Sequence, residues 1–195
     1  MKMNTELFDR IFTKVKPLLR SGRPGDYAHI KSVYRTLVRL CENEKYPVNF
    51  RVLISAGILH DCGFGFLKKE HMHYFTGQKK VVAMKKVIGG LTLAYIPVCL
   101  HEFQFSDQEI DDIKYIVRYS DESVLPMENP SLELQILHDL NLYDRFLPHR
   151  LKILNTLYPD PVKRRAVLED SLKYIILPTF RKKAEKLMKK ITAKF

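Results

Sequence analysis

The chain has 195 residues, 46% of them hydrophobic, with a formal net charge of +11 at neutral pH. That length and composition suit one ordinary globular domain with a full core and exclude a disordered or low-complexity chain. Three cysteines, Cys41, Cys62 and Cys99, lie far apart without a CxxC spacing, which argues against a disulfide framework or a zinc ribbon and reads as reduced thiols.

Apolar spacing is helical almost throughout, and strand-like alternation between turn signals is hard to find. The expectation is an all-α domain, a compact helical bundle, with a single domain over residues 1–195. Its core would span roughly 24–146, and 149–195 would form an appended helical layer with a basic tail. A first helix is expected from Thr5 to Leu19, broken by the loop SGRPG at 21–25. Asp26 would cap the next helix, Tyr27 to Glu44, which carries His29 in its first turn and a core-facing stripe of Ile30, Val33, Leu37 and Leu40 or Cys41.

The segment 52–63, VLISAGILHDCG, is apolar on all sides, as a central helix requires, and stops at the polar pair His60-Asp61 followed by Gly63 and Gly65. The next helix is expected from His73 to Ile88, ended by Gly89-Gly90, with a short helix after it interrupted near Pro97. Ser106 and Glu109 form a capping box opening a helix to Tyr119, and Asp139 falls within a helix from Ser131 to Phe146. Pro148, Pro159, Pro161 and Pro178 punctuate two or three further helices.

The polar residues in these apolar surroundings carry the functional argument. Ending a wholly apolar helix on two ionisable groups is costly unless they are solvated, paired or metal-bound. Two imidazoles, His29 and His60, and two carboxylates, Asp61 and Asp139, form a donor set for one divalent metal ion. His138, adjacent to Asp139, is the alternative donor at that position.

Read together, PGDYAHIKSV around His29, AGILHDCGF around His60-Asp61 and LHDLNLYDRF around Asp139 resemble the HD superfamily of metal-dependent phosphohydrolases. The likeness covers residues 24–146. It implies the family's helical bundle, with His29, His60, Asp61 and Asp139 as metal ligands and Asp61 also orienting a water nucleophile. It further implies His71 or the neighbouring His73 as proton donor to the leaving group. Mixed nitrogen and oxygen ligation suits Mn, Fe, Co, Ni, Zn or Mg.

Departures from the family pattern narrow the expectation. Tyr119 stands where two-metal members carry a further His, which favours one metal and argues against an oxygenase with two irons; His101 fits that role poorly. Phe64 replaces the Glu of the deoxynucleotidase and alarmone-hydrolysing branches, Ser32 replaces an Arg, and Asn141 replaces a second acid for which Asp144 offers compensation.

The resulting expectation is a hydrolase of a phosphomonoester or phosphodiester of a small molecule, a nucleotide by preference, with Lys68, Lys69 and Lys79 as anion contacts. The rival is a catalytically weak binding module for nucleic acid or a protein partner, using the basic segment 181–195, RKKAEKLMKKITAKF. No apolar run is long enough to span a bilayer, and the segment MKMNTELFDR lacks the apolar stretch of a secretory signal, so a cytoplasmic protein is expected.

Overall fold

The structure is a computed structural model of the 195-residue chain, and it describes residues 3–43, 46–67, 78–122, 125 and 127–192, with side chains of the fourth helix from residue 84 onward. Among the described residues it is all-α, and contacts divide it into two compact units, Met1–Arg118 and Tyr119–Phe195. The division after Arg118 falls inside the expected core of 24–146 and not at residue 149, where the appended layer was expected to begin.

The first unit contains α1 (Glu6–Ser21), α2 (Asp26–Asn43), α3 (Phe50–Leu59), a 3₁₀ turn (Cys62–Phe66), α4 (Gln78–Leu100), a second 3₁₀ turn (His101–Phe103) and α5 (Asp107–Tyr119). In α1 the apolar residues Phe8, Ile11, Val15 and Leu19 recur at helical spacing and are buried. In α2 the stripe is Ile30, Val33, Leu37 and Leu40, while Cys41 is only half-buried. Every residue of α3 from Val52 to Leu59 is buried, because α1 and α2 both pack against it. Its start is set by Asn49, whose side-chain oxygen accepts from the amides of Arg51 and Val52 at 3.1 and 3.2 Å.

The 3₁₀ turn after α3 packs against both α1 and α4. A Cβ at Gly63 would lie 2.3 Å from Thr92 Oγ1 and 2.4 Å from the carbonyl oxygen of Ile88, and a Cβ at Gly65 would lie 2.4 Å from the carbonyl oxygen of Leu18. Only glycine lets the backbone come this close. The Gly63 amide uses the approach to donate to Thr92 Oγ1 at 3.1 Å.

One boundary is corrected: α4 runs unbroken from Gln78 to Leu100, through Gly89-Gly90 and with Pro97 inside it. The apolar face outlasts the punctuation, since Ile88, Ile96, Cys99 and Leu100 are buried along it. That burial outweighs a helix-propensity penalty of about 1 kcal/mol per glycine. The capping box forms as read, with the Ser106 amide donating to Glu109 at 2.9 Å and the Glu109 amide to Ser106 at 3.2 Å.

The second unit contains α6 (Leu132–Asp144), α7 (Pro148–Leu157), α8 (Pro161–Tyr174) and α9 (Pro178–Thr192). Helix α6 packs against α8 and α9, with Leu134, Leu137, Leu140, Leu168, Phe180 and Ala184 among the buried side chains. The basic tail therefore has an inner face of Phe180, Ala184 and Met188, and its lysines 182, 183, 186, 189 and 190 are exposed. No described helix is long and apolar enough to cross a membrane.

Candidate metal centre

His29 sits one turn into α2, its amide bonded to the carbonyl of Gly25 at 2.9 Å, so the turn at 22–25 fixes where its ring emerges. His60 follows the last residue of α3, and Asp61 opens the 3₁₀ turn. Packing of α2 against α3 brings the three side chains together, and all are buried.

The Nδ1 of His60 lies 3.0 Å from the carbonyl oxygen of Gly57. A carbonyl can only accept, so this contact places the ring proton on Nδ1 and leaves the Nε2 lone pair directed into the cluster. His29 Nε2 is 3.1 Å from that nitrogen, with the two rings edge to face at 86°. Asp61 Oδ2 lies 3.8 Å from His29 Nε2 and 3.9 Å from His60 Nε2.

A circle through three donor atoms at those separations has a radius of about 2.1 Å, the ordinary bond length from a divalent transition metal to imidazole nitrogen or carboxylate oxygen. An ion at its centre meets all three donors without any of them moving far. His29, His60 and Asp61 thus form a group able to hold a metal ion.

Sequence reasoning missed Arg23. Its guanidinium donates to Asp61 Oδ2 at 3.0 Å and to Asp26 Oδ1 at 3.1 Å, and it lies 3.4 Å from the centre of the Phe64 ring. Asp26 also accepts from the Arg23 amide at 2.8 Å. Burial pushes the Asp26 carboxyl up to about 6, against the opposing pull of Arg23 and with the support of the Asp61 charge. The available signal was the pairing of an arginine and an aspartate across a Pro-Gly turn, GRPGD, which read only as a helix boundary.

Asp139, expected as the fourth ligand, belongs to the second unit and is fully buried there. Its carboxylate accepts from the Ile176 amide at 3.0 Å, the Leu177 amide at 2.5 Å and His138 Nδ1 at 2.9 Å. The chain leaving α8 is thereby tied to α6. His138, the alternative donor, spends one ring nitrogen on the same contact. Asp144 is paired with His149 at 3.1 Å and with Arg150 at 3.7 Å, and the Asn141 side chain donates to the carbonyl of Ser120 at 3.4 Å. His101 is exposed at the start of its 3₁₀ turn. Lys68, Lys69, His71 and His73 lie outside the described residues, as does the side chain of Lys79.

Comparison with protein-family models, with curated proteins and with solved structures returned no match.

Proposed function

We propose that the protein is a metal-dependent phosphohydrolase of the HD type that cleaves a phosphomonoester or phosphodiester of a small molecule, a nucleotide by preference. The observation that carries the reading is the triangle of His29 Nε2, His60 Nε2 and Asp61 Oδ2, with sides of 3.1, 3.8 and 3.9 Å. These residues would hold one divalent ion drawn from Mn, Fe, Co, Ni, Zn or Mg. When bound, such an ion supplies Lewis acidity, lowering the pKa of water toward neutrality and offsetting charge on a phosphate oxygen.

The chain's own groups divide the remaining work. Gly57 orients His60 through Nδ1, and Arg23 orients Asp61 through the same oxygen that faces the imidazoles. Burial of all three donors removes competing water and strengthens each interaction. Protonation of the leaving group is assigned to His71 or His73, as the resemblance implies, and Lys68, Lys69 and Lys79 are assigned by their charge to the substrate's anionic part.

The test is a phosphatase and phosphodiesterase screen with each divalent metal, repeated on Asp61→Ala. Chelator-sensitive turnover that Asp61→Ala abolishes supports the enzyme, and turnover indifferent to both removes it.

The exposed lysines of α9 favour a second reading, a binding module for nucleic acid with little or no turnover. Truncation would also remove the buried Ala184 and Met188, so the appropriate variant exchanges Lys182, Lys183, Lys186, Lys189 and Lys190 for Gln. Salt-dependent oligonucleotide binding that these exchanges abolish would support the module.

A further inference from the structure

Beside the His-Asp cluster, the first unit carries a cleft of about 1050 Å³ between the end of α1, the 22–25 turn and the 3₁₀ turn after α3. Arg23 joins the two places, because it lines the cleft while its guanidinium bonds Asp61. The described lining has a simple chemistry: cationic Arg20 and Arg23, aromatic Tyr27, Phe64 and Phe66, and no acidic side chain.

Two of these residues have no role in the fold that accounts for their exposure. Phe66 is 41% exposed, although it sits in a turn whose neighbours Cys62, Gly63 and Phe64 are buried, and its only described ring partner is Tyr95 at 5.1 Å, edge to face. Arg20 is exposed and lies over Tyr27 at 5.2 Å, with no carboxylate partner among the described residues. Lys31 adds a second cation over the same ring at 5.8 Å. The exposed Phe66 and half-buried Tyr27, next to the Arg20 guanidinium and to an Arg23 already paired with Asp26 and Asp61, suit a ligand that is flat and apolar at one end and anionic at the other.

We propose that this cleft binds a phosphate ester of an aromatic-ring compound, a nucleoside monophosphate by its chemistry, with the phosphate on Arg20 and Arg23 and the ring against Phe66 and Tyr27. The assignment deepens the phosphohydrolase reading and rests on it for its meaning as a substrate site, since the Arg23 side would bring the ester toward Asp61. The binding itself requires no metal. Arginine suits the anionic end because its planar fork can meet two phosphate oxygens at once.

The experiment is calorimetric titration of the full chain in chelator-treated buffer with AMP, ribose phosphate and inorganic phosphate. AMP is expected to bind at least about tenfold more tightly than ribose phosphate, the value of one aromatic stacking contact. Phe66→Ala should erase that preference while leaving ribose phosphate binding unchanged, and the double variant Arg20→Gln, Arg23→Gln should weaken AMP and inorganic phosphate alike by about tenfold or more. Because Arg20 and Phe66 are exposed, circular dichroism of Arg20→Gln and Phe66→Ala should match the parent. Equal affinity for AMP and inorganic phosphate, or AMP binding unaffected by Phe66→Ala, would overturn the assignment. AMP binding with this profile in a protein that hydrolyses nothing under any metal would retain the cleft and remove the hydrolase reading instead.

Discussion

Removing the Asp139 carboxylate separates a structural acceptor from a metal ligand. In the structure this fully buried group accepts from two consecutive backbone amides, Ile176 and Leu177, and from His138 Nδ1. Asp139→Ala leaves those donors buried without partners at the point where the chain passes from α8 to α9. A hydrogen bond to a charged group contributes about 1.5–3 kcal/mol and an orphaned buried donor costs about 1–3 kcal/mol, so the loss of several together should destabilise by about 4 kcal/mol. Asp139→Asn keeps an acceptor for the amides and should cost about half of that. Urea unfolding followed by circular dichroism gives the cost, and elemental analysis of the same folded samples gives the metal content. The expected result is a large fall in unfolding midpoint with the metal retained at subdenaturing conditions. A folded, near-wild-type Asp139→Ala that has lost its metal would refute the reasoning and return Asp139 to the ligand set.

Gly63→Ala should lower stability by about 3 kcal/mol or more, because its Cβ meets Thr92 Oγ1 and the Ile88 carbonyl and the overpacking cannot be relieved by a side chain alone; a Tm unchanged in differential scanning calorimetry would show that α4 yields. Burial pushes the Cys41 thiol up to about 12 from its ordinary value near 9, and moves Cys62 and Cys99 upward as well, so the native thiolate fraction of Cys41 at pH 8 should fall about a thousandfold and alkylation should require denaturant. Since these thiols stay protonated when folded and ionise when unfolded, stability should decline as pH rises above about 9, and a flat urea midpoint between pH 8 and 10 would contradict the sign. Asn49→Ala should cost about 1 kcal/mol through loss of the α3 cap, readable in the urea midpoint.

What the sequence made legible follows from how local the determinants are. The apolar stripe of α2, the all-round burial of α3 and the Ser106 capping box depend on residues within a few turns of one another, and each appears in the structure as read. The stop at Gly89-Gly90 failed for the opposite reason. The continuation of α4 depends on neighbours that bury Ile96 and Cys99, and spacing alone cannot weigh that burial against a glycine pair.

The site divides in the same way. His60 and Asp61 were marked by their position at the end of an apolar helix, and His29 follows from the α2 stripe once α2 packs on α3. Arg23 was passed over because GRPGD reads first as a helix boundary and a charge count treats the residue as one more surface cation, while its partners Asp26 and Asp61 are met only through a turn and a helix end. Asp139 reads as a ligand candidate because a buried carboxylate needs compensation. Sequence shows that need but not whether a cation or three N–H donors will meet it.

The central claim is that His29, His60 and Asp61 hold one divalent ion. Its most direct measurement is the stoichiometry of Mn²⁺ and Zn²⁺ binding to chelator-stripped protein, by calorimetry with elemental analysis, for the parent chain, His60→Ala and Asp61→Ala. The account predicts one high-affinity ion per parent chain and its loss in both variants while helicity is retained. A parent chain that binds no ion, or a His60→Ala or Asp61→Ala variant that binds it undiminished, would contradict the account.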